Sequence, residues 1–124
     1  MAGALQVELV AADRVVWSGE AERVLARTAS GDLGVLANHA PLLSVLVPGV
    51  VEIETTGGER LRAAVGDGFL SVADNRVSVL SEDTHLADEL DEATLKAELD
   101  RAVADGDDAA VRRVEAKLRV LNQA

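Results

Sequence analysis

The period of the hydrophobic pattern changes once along this chain, near residue 85, and that change limits the possible folds more than any other feature. Before it, apolar and polar residues alternate in short runs; after it, apolar residues recur at helical spacing. Nine of the ten glycines lie at or before residue 68, and only Gly106 comes later. Turn-rich strands followed by turn-poor helices make two segregated parts. The expected fold is mainly β plus α: an N-terminal antiparallel β-sandwich over residues 1–84, then a C-terminal two-helix hairpin over residues 85–124.

The strands can be read one by one. Leu5, Val7 and Leu9 share one face of the first. Asp13-Arg14 turns the chain into a strand beginning at Arg14-Val15-Val16-Trp17. Glu22 to Arg27 reads as a third strand. Val50 to Thr55 puts Val51 and Ile53 inside, with Glu52 and Glu54 outside. The pair Gly57-Gly58 suits a tight hairpin, because such turns need positive φ. Arg60 to Val65 then returns with its arginines facing those glutamates. Phe69 to Ala73 and Arg76 to Leu80 form a last hairpin across Asp74-Asn75. The Trp, the Phe and most Val precede residue 85, so this part should have its own core, with Trp17 plugged into it.

In the helical part Asp88 or Asp91 can cap the first helix. Leu86, Leu90, Ala93 and Ala97 line one stripe, with Leu95, Leu99 and Ala102 beside it. Gly106 should sit at the bend. Val114 and Leu118 should face Leu95 and Leu99 across the pair. The stripes are thin and Ala-rich, and the first helix carries seven acids between Leu86 and Asp105 against Lys96 and Arg101. Such a hairpin is marginal alone and mobile unless docked.

Composition removes several classes of function. The formal net charge of −10 opposes nucleic acid as a partner, since phosphate binding needs a cationic face. One Trp, one Phe and no Tyr leave no aromatic platform for sugars or single strands. Without cysteine there is no disulfide, thiolate nucleophile or zinc–thiolate site. His39 and His85 are the only histidines, and neither stands at a ligand spacing. His39, with Asp32 nearby in sequence, reads as a packing or hydrogen-bonding loop residue, because no serine lies in a nucleophile context. No catalytic residue, metal or cofactor is expected. The start Met1-Ala2-Gly3-Ala4 has no basic region before an apolar run, so no signal peptide is expected. No stretch reaches the roughly 20 apolar residues that would insert in a bilayer.

One segment asks for more than packing. Ser30 to Leu43 joins two glycines, a loop and a sustained apolar run, and Val45-Leu46-Val47-Pro48-Gly49 follows. Here the chain resembles the epsilon subunit of the rotary F-type ATP synthase. That family shows a Gly-acid-Leu-Gly-aliphatic run, His-Ala-Pro-Leu-Leu, then Pro-Gly. These stand at Gly31 to Val35, His39 to Leu43, and Pro48-Gly49. Trp17-Ser18-Gly19, as a turn after the first hairpin, Gly68 to Val72, Val77 to Leu80 and Leu90-Asp91-Glu92-Ala93 also match. The likeness covers nearly the whole chain, and the His-Ala-Pro-Leu-Leu segment is its specific part.

The resemblance implies a non-catalytic rotor subunit that couples the catalytic head to the proton-driven c-ring. Its partners would be the gamma subunit and the c-ring. Its place would be peripheral, on the cytoplasmic face of a bacterial plasma membrane. Gly31, Asp32, Leu33, His39, Ala40, Pro41 and Leu42 would contact ring or stalk. A hairpin carrying Asp91, Leu95, Leu99, Gly106, Val114 and Leu118 would restrain ATP hydrolysis by extending toward the head, where the alpha and beta subunits are further candidate partners. Some members bind ATP through Ile/Leu-Asp-x-x-Arg-Ala. Here the arginine position is Thr94, so no nucleotide is expected. The alternative is a free-standing β-sandwich binding module with a helical tail.

Overall fold

The computed structural model describes residues 4–122. Met1 to Gly3, on which the expectation of no signal peptide partly rests, lie outside the described residues. Nine strands are present among those residues: β1 (Leu5–Val10), β2 (Val15–Thr28), β3 (Gly31–Leu36), β4 (Leu42–Leu46), β5 (Gly49–Thr55), β6 (Arg60–Val65), β7 (Gly68–Ala73), β8 (Arg76–Ser81) and β9 (Thr84–Leu86). A 3-10 turn, Ala87–Glu89, leads into α1 (Glu92–Ala104) and α2 (Asp108–Asn122).

The expected second and third strands are one. β2 runs unbroken for 14 residues. Its first half pairs antiparallel with β1, from Leu5↔Ala21 to Leu9↔Trp17. Its second half pairs with β3 on one side and β5 on the other, so that Val24 faces both Val35 and Ile53. Register shifts beside Val16 and at Glu22 let the strand bend between the two layers. Trp17-Ser18-Gly19 is therefore part of a strand and not a turn. The Trp17 ring lies across Gly19, where a Cβ would come within 2.7 Å of it. Trp17 is half-buried and packs on the rim of the core.

One layer takes the order β1-β8-β7-β4, and the other takes β2-β5-β6-β9 with β3 on the far side of β2. All pairs are antiparallel except β1 with β8, which run parallel from Gln6↔Arg76 to Val10↔Leu80. The layers enclose an aliphatic core that includes Leu5, Val7, Leu9, Val24, Val35, Leu46, Ile53, Leu70, Val72, Val77 and Val79. Phe69, expected inside, is 53% exposed. In β7 the burial alternates with Leu70 and Val72 inward, so the residue between the turn and Leu70 must face out.

The glutamates of β5 meet their arginines. Arg60 Nε lies 3.0 Å from Glu52 Oε1, and Arg23 pairs with Glu54 at 3.1 Å. The Asp74-Asn75 turn holds both residues at positive φ, 50° and 60°, as a two-residue hairpin requires. β9 reaches past the expected boundary at 84/85 and pairs Thr84 to Leu86 with β6.

The hairpin is folded onto the sandwich. α2 lies against β5 and β6, and α1 packs on α2. Leu95, Ala102, Val114, Ala116 and Val120 are buried, with Leu99 and Leu118 half-buried. The other predicted stripe does not form. Leu86 belongs to β9, Leu90 follows the 3-10 turn, and Ala93 and Ala97 face solvent. Helical spacing alone cannot show that α1 begins only at Glu92, because β9 pairing and the 3-10 turn hold Leu86 and Leu90 outside the helix. Gly106, at φ 68°, closes α1: its amide donates to the Val103 carbonyl and the Asp107 amide to that of Ala102, a Schellman termination.

Gly68 is the tightest backbone approach in the sandwich. A Cβ there would stand 1.9 Å from the Leu80 carbonyl oxygen. Gly68→Ala is expected to cost about 2–3 kcal/mol, measured as a lower urea midpoint with an unchanged m-value.

Candidate functional site: an apolar outer face and a docked arm

The residues singled out in the sequence fall in three places. Gly31, Asp32 and Leu33 begin β3, which was expected to be a loop and is instead the return of a hairpin from β2. The Thr28 hydroxyl donates to the Gly31 carbonyl at 2.7 Å and fixes the turn. Asp32 projects into solvent, 3.7 Å from Arg27 of the same hairpin. Leu33 is half-buried and packs on the core.

His39, Ala40, Pro41 and Leu42 lie at the opposite end of β3, about 17 Å away at the rise of an extended strand. His39 Nδ1 donates to the Ala40 carbonyl at 2.7 Å. The Asn38 amide donates to Asn75 Oδ1 at 2.5 Å, which ties this loop to the β7–β8 turn. Ala40 and Pro41 are exposed, while Leu42 packs on the core opposite Val72. The two motifs therefore do not build one surface.

The arm carries the third group. Asp91 caps α1: the Thr94 hydroxyl and amide donate to its Oδ2 at 2.7 and 2.9 Å. Those bonds, the hydroxyl first, hold the Asp91 carboxyl below the ordinary aspartate value. Asp88 lies in the 3-10 turn and does not cap. Asp107 caps α2 through the Ala110 amide at 3.1 Å. A cavity of about 460 Å³ between the helices and the β8–β9 link is lined by Arg101, Arg113 and Lys117, but also by Asp83, Glu98, Asp105 and Asp107. The acids outnumber the bases there.

Sequence reasoning missed the most distinctive surface. Val45, Phe69 and Leu80 stand side by side across β4, β7 and β8, through the pairs Val45↔Phe69 and Phe69↔Leu80. All three are more than half exposed, and Leu43, two residues along β4, is 71% exposed. Val10 continues the row opposite Leu80. The row borders a groove of about 760 Å³ with Asp67 and Glu82 at its edge. The signal was present in the sequence. Leu42-Leu43-Ser44-Val45-Leu46 and Val79-Leu80 carry apolar residues on both parities, which a sheet facing water on one side does not need.

A stiff sandwich with an apolar outer face and a helical arm laid against it is the build of a docking subunit in a larger assembly. The family model for the β-sandwich domain of the ATP synthase delta/epsilon chain matches residues 4–87. The ATP synthase epsilon chain of Streptomyces avermitilis is 55% identical over 122 residues, covering 98% of both chains. That of Streptomyces griseus is 52% identical over 121 residues, again 98% of both. Among solved structures, a chain of the Euglena gracilis mitochondrial ATP synthase aligns with a TM-score of 0.72 and 26% identity, covering 95% of this chain and 77% of that one. The chain belongs to the ATP synthase epsilon chain family. It is a non-catalytic rotor subunit of the central stalk, and the free-standing binding module gives way to that reading. No helix among the described residues is long and apolar enough to cross a membrane.

Because the folded-state value of Asp91 is depressed, its contribution is full above the ordinary aspartate value and is lost as pH falls through the lower, folded one. Protection of α1 amides against exchange is expected to fall in that acid window. Asp91→Ala should lower protection at neutral pH and flatten the acid dependence.

Proposed function

We propose that this chain grips the gamma subunit through the Leu43–Val45–Phe69–Leu80 face, meets the c-ring through the Gly31–Asp32 end, and thereby couples the catalytic head to the ring. The observation that carries the reading is the apolar row itself. It crosses three strands, lies outside the core, and has acidic residues at its edge. A face of that kind suits a protein partner whose own apolar patch is edged with basic side chains. The Asp32 end, at the tip of the β2–β3 hairpin, is narrow and polar and suits the loops of a ring. The His39–Pro41 loop lies at the far end of β3 and belongs to the stalk side. The relatives come from bacteria such as Streptomyces, which supports a peripheral position on the cytoplasmic face of the plasma membrane.

The arm, residues 91–122, is proposed as a separate unit that restrains ATP hydrolysis when it leaves the sandwich and reaches the alpha and beta subunits. Its small buried side chains support this, because a lightly held element exchanges between two positions at modest cost.

Two substitutions separate the two contacts. Phe69→Glu is expected to weaken association with gamma by roughly tenfold or more, since an exposed aromatic at the centre of such a face carries much of the binding. The melting temperature of the free chain should stay within a few degrees. Retained gamma binding would remove this face from the interface. Asp32→Lys should lower proton pumping per ATP in the assembled enzyme only in part, because an exposed charge pair is worth about 0–1 kcal/mol; unchanged pumping would remove Asp32 from the ring contact.

A further inference from the structure

Besides the packing of α2 on β5 and β6, two charged contacts of different character tie the helical part to the sandwich. At its root, the Arg14 guanidinium of the β1–β2 turn pairs with the Glu89 carboxylate. The other Glu89 oxygen accepts the Leu86 amide at 3.1 Å. β9, just before, is paired with β6. The backbone then runs extended through Leu90 (φ −110°, ψ 143°) and Asp91 (φ −119°, ψ 121°), and only then turns into α1.

The second point is on α2. Lys117 has a side chain only 15% exposed, and its Nζ lies 3.1 Å from Asp83 Oδ1. The same oxygen accepts from His85 Nε2 at 2.8 Å. Asp83 is itself held by the sheet. Its amide donates to Ser81 Oγ at 3.3 Å, and its carbonyl accepts the Gly66 amide at 3.0 Å. The acceptor is thus pre-positioned, and the half-buried site strengthens the bond. The buried apolar residues of α2 are Val114, Ala116 and Val120, and the helix packs on β5 and β6 as well as on α1. Alongside that packing, the Asp83–Lys117 pair is a charged contact that joins α2 directly to the β8–β9 link.

We propose that Asp83 is the latch of the arm, with Lys117 as its catch, and that the hinge is Leu90–Asp91. This rests on the reading that the arm leaves the sandwich. Breaking the Asp83–Lys117 pair frees α1 and α2 together, while the segment through Glu89 stays on the sheet.

Amide exchange on the full chain tests this in four forms: unaltered, Asp83→Asn, Lys117→Met and the double variant. Lys117→Met keeps the apolar stem and removes the charge. Each single change is expected to raise exchange across Glu92–Ala104 and Asp108–Asn122 by about tenfold. The double variant should raise it no further than the larger single effect, because both remove one interaction. Lys117→Arg should stay near the unaltered chain. Strands β5 and β8 and residues 84–89 should not change, which also shows that the variants fold. Unchanged helix exchange in the single variants, or effects that multiply in the double, would overturn the latch. Loosening of residues 84–89 with the helices would overturn the hinge. ATP hydrolysis by the assembled enzyme carrying Asp83→Asn reads the arm's role separately: a looser arm with unaltered hydrolysis overturns the restraint and leaves the latch standing.

Discussion

The sandwich depends on β2 being one strand. A strand of 14 residues is long enough to belong to both layers, pairing with β1 at one end and with β3 and β5 at the other. Because it is paired with a neighbouring strand over nearly all of that length, the layers cannot slide apart without breaking a ladder. The two register shifts supply the bend that closes them over an aliphatic core. The core contains no aromatic ring, so stiffness comes from interdigitated Val and Leu, which have few rotamers to lose. A rotor subunit of the central stalk gains from that construction.

The arm is built on the opposite principle. Three of its helix ends are capped, by Asp91, Asp107 and the Gly106 termination. Its buried side chains are Leu95, Ala102, Val114, Ala116 and Val120, a smaller set than the sandwich core. The epsilon-chain fold thus joins an aliphatic β-sandwich to a two-helix arm docked on it within 124 residues.

Much of this was legible in the residues. Strict alternation gave β1, paired glycines gave the β5–β6 turn, and facing Glu and Arg gave the β5–β6 register, because each signal is local. Gly106 at the bend follows from the same logic. The Gly31 to Gly49 run carried the family. What failed was non-local. Ser18-Gly19 reads as a turn, yet the Trp17 ring covers Gly19 and the strand continues. The Gly31-rich run reads as a loop, yet its pairing with β2 makes it a strand. Leu86, Leu90, Ala93 and Ala97 have helical spacing as good as that of Leu95, Leu99 and Ala102, and only the pairing of β9 with β6 and the packing of α1 on α2 distinguish them.

The sequence by itself determined the two parts, their order, the aliphatic core and the family, since period, turn residues and motif order are properties of neighbours along the chain. The tertiary structure alone decided which apolar residues stay outside. Val45, Phe69 and Leu80 are no less hydrophobic than Leu46, Leu70 and Val79; the pleat of the sheet sends one set inward and aligns the other into a row across three strands. It also decided that Asp83 and Lys117, 34 positions apart, share one contact. Alternation within a strand says that two faces exist, but which face meets the core, and which distant charge meets which, depends on how the layers close.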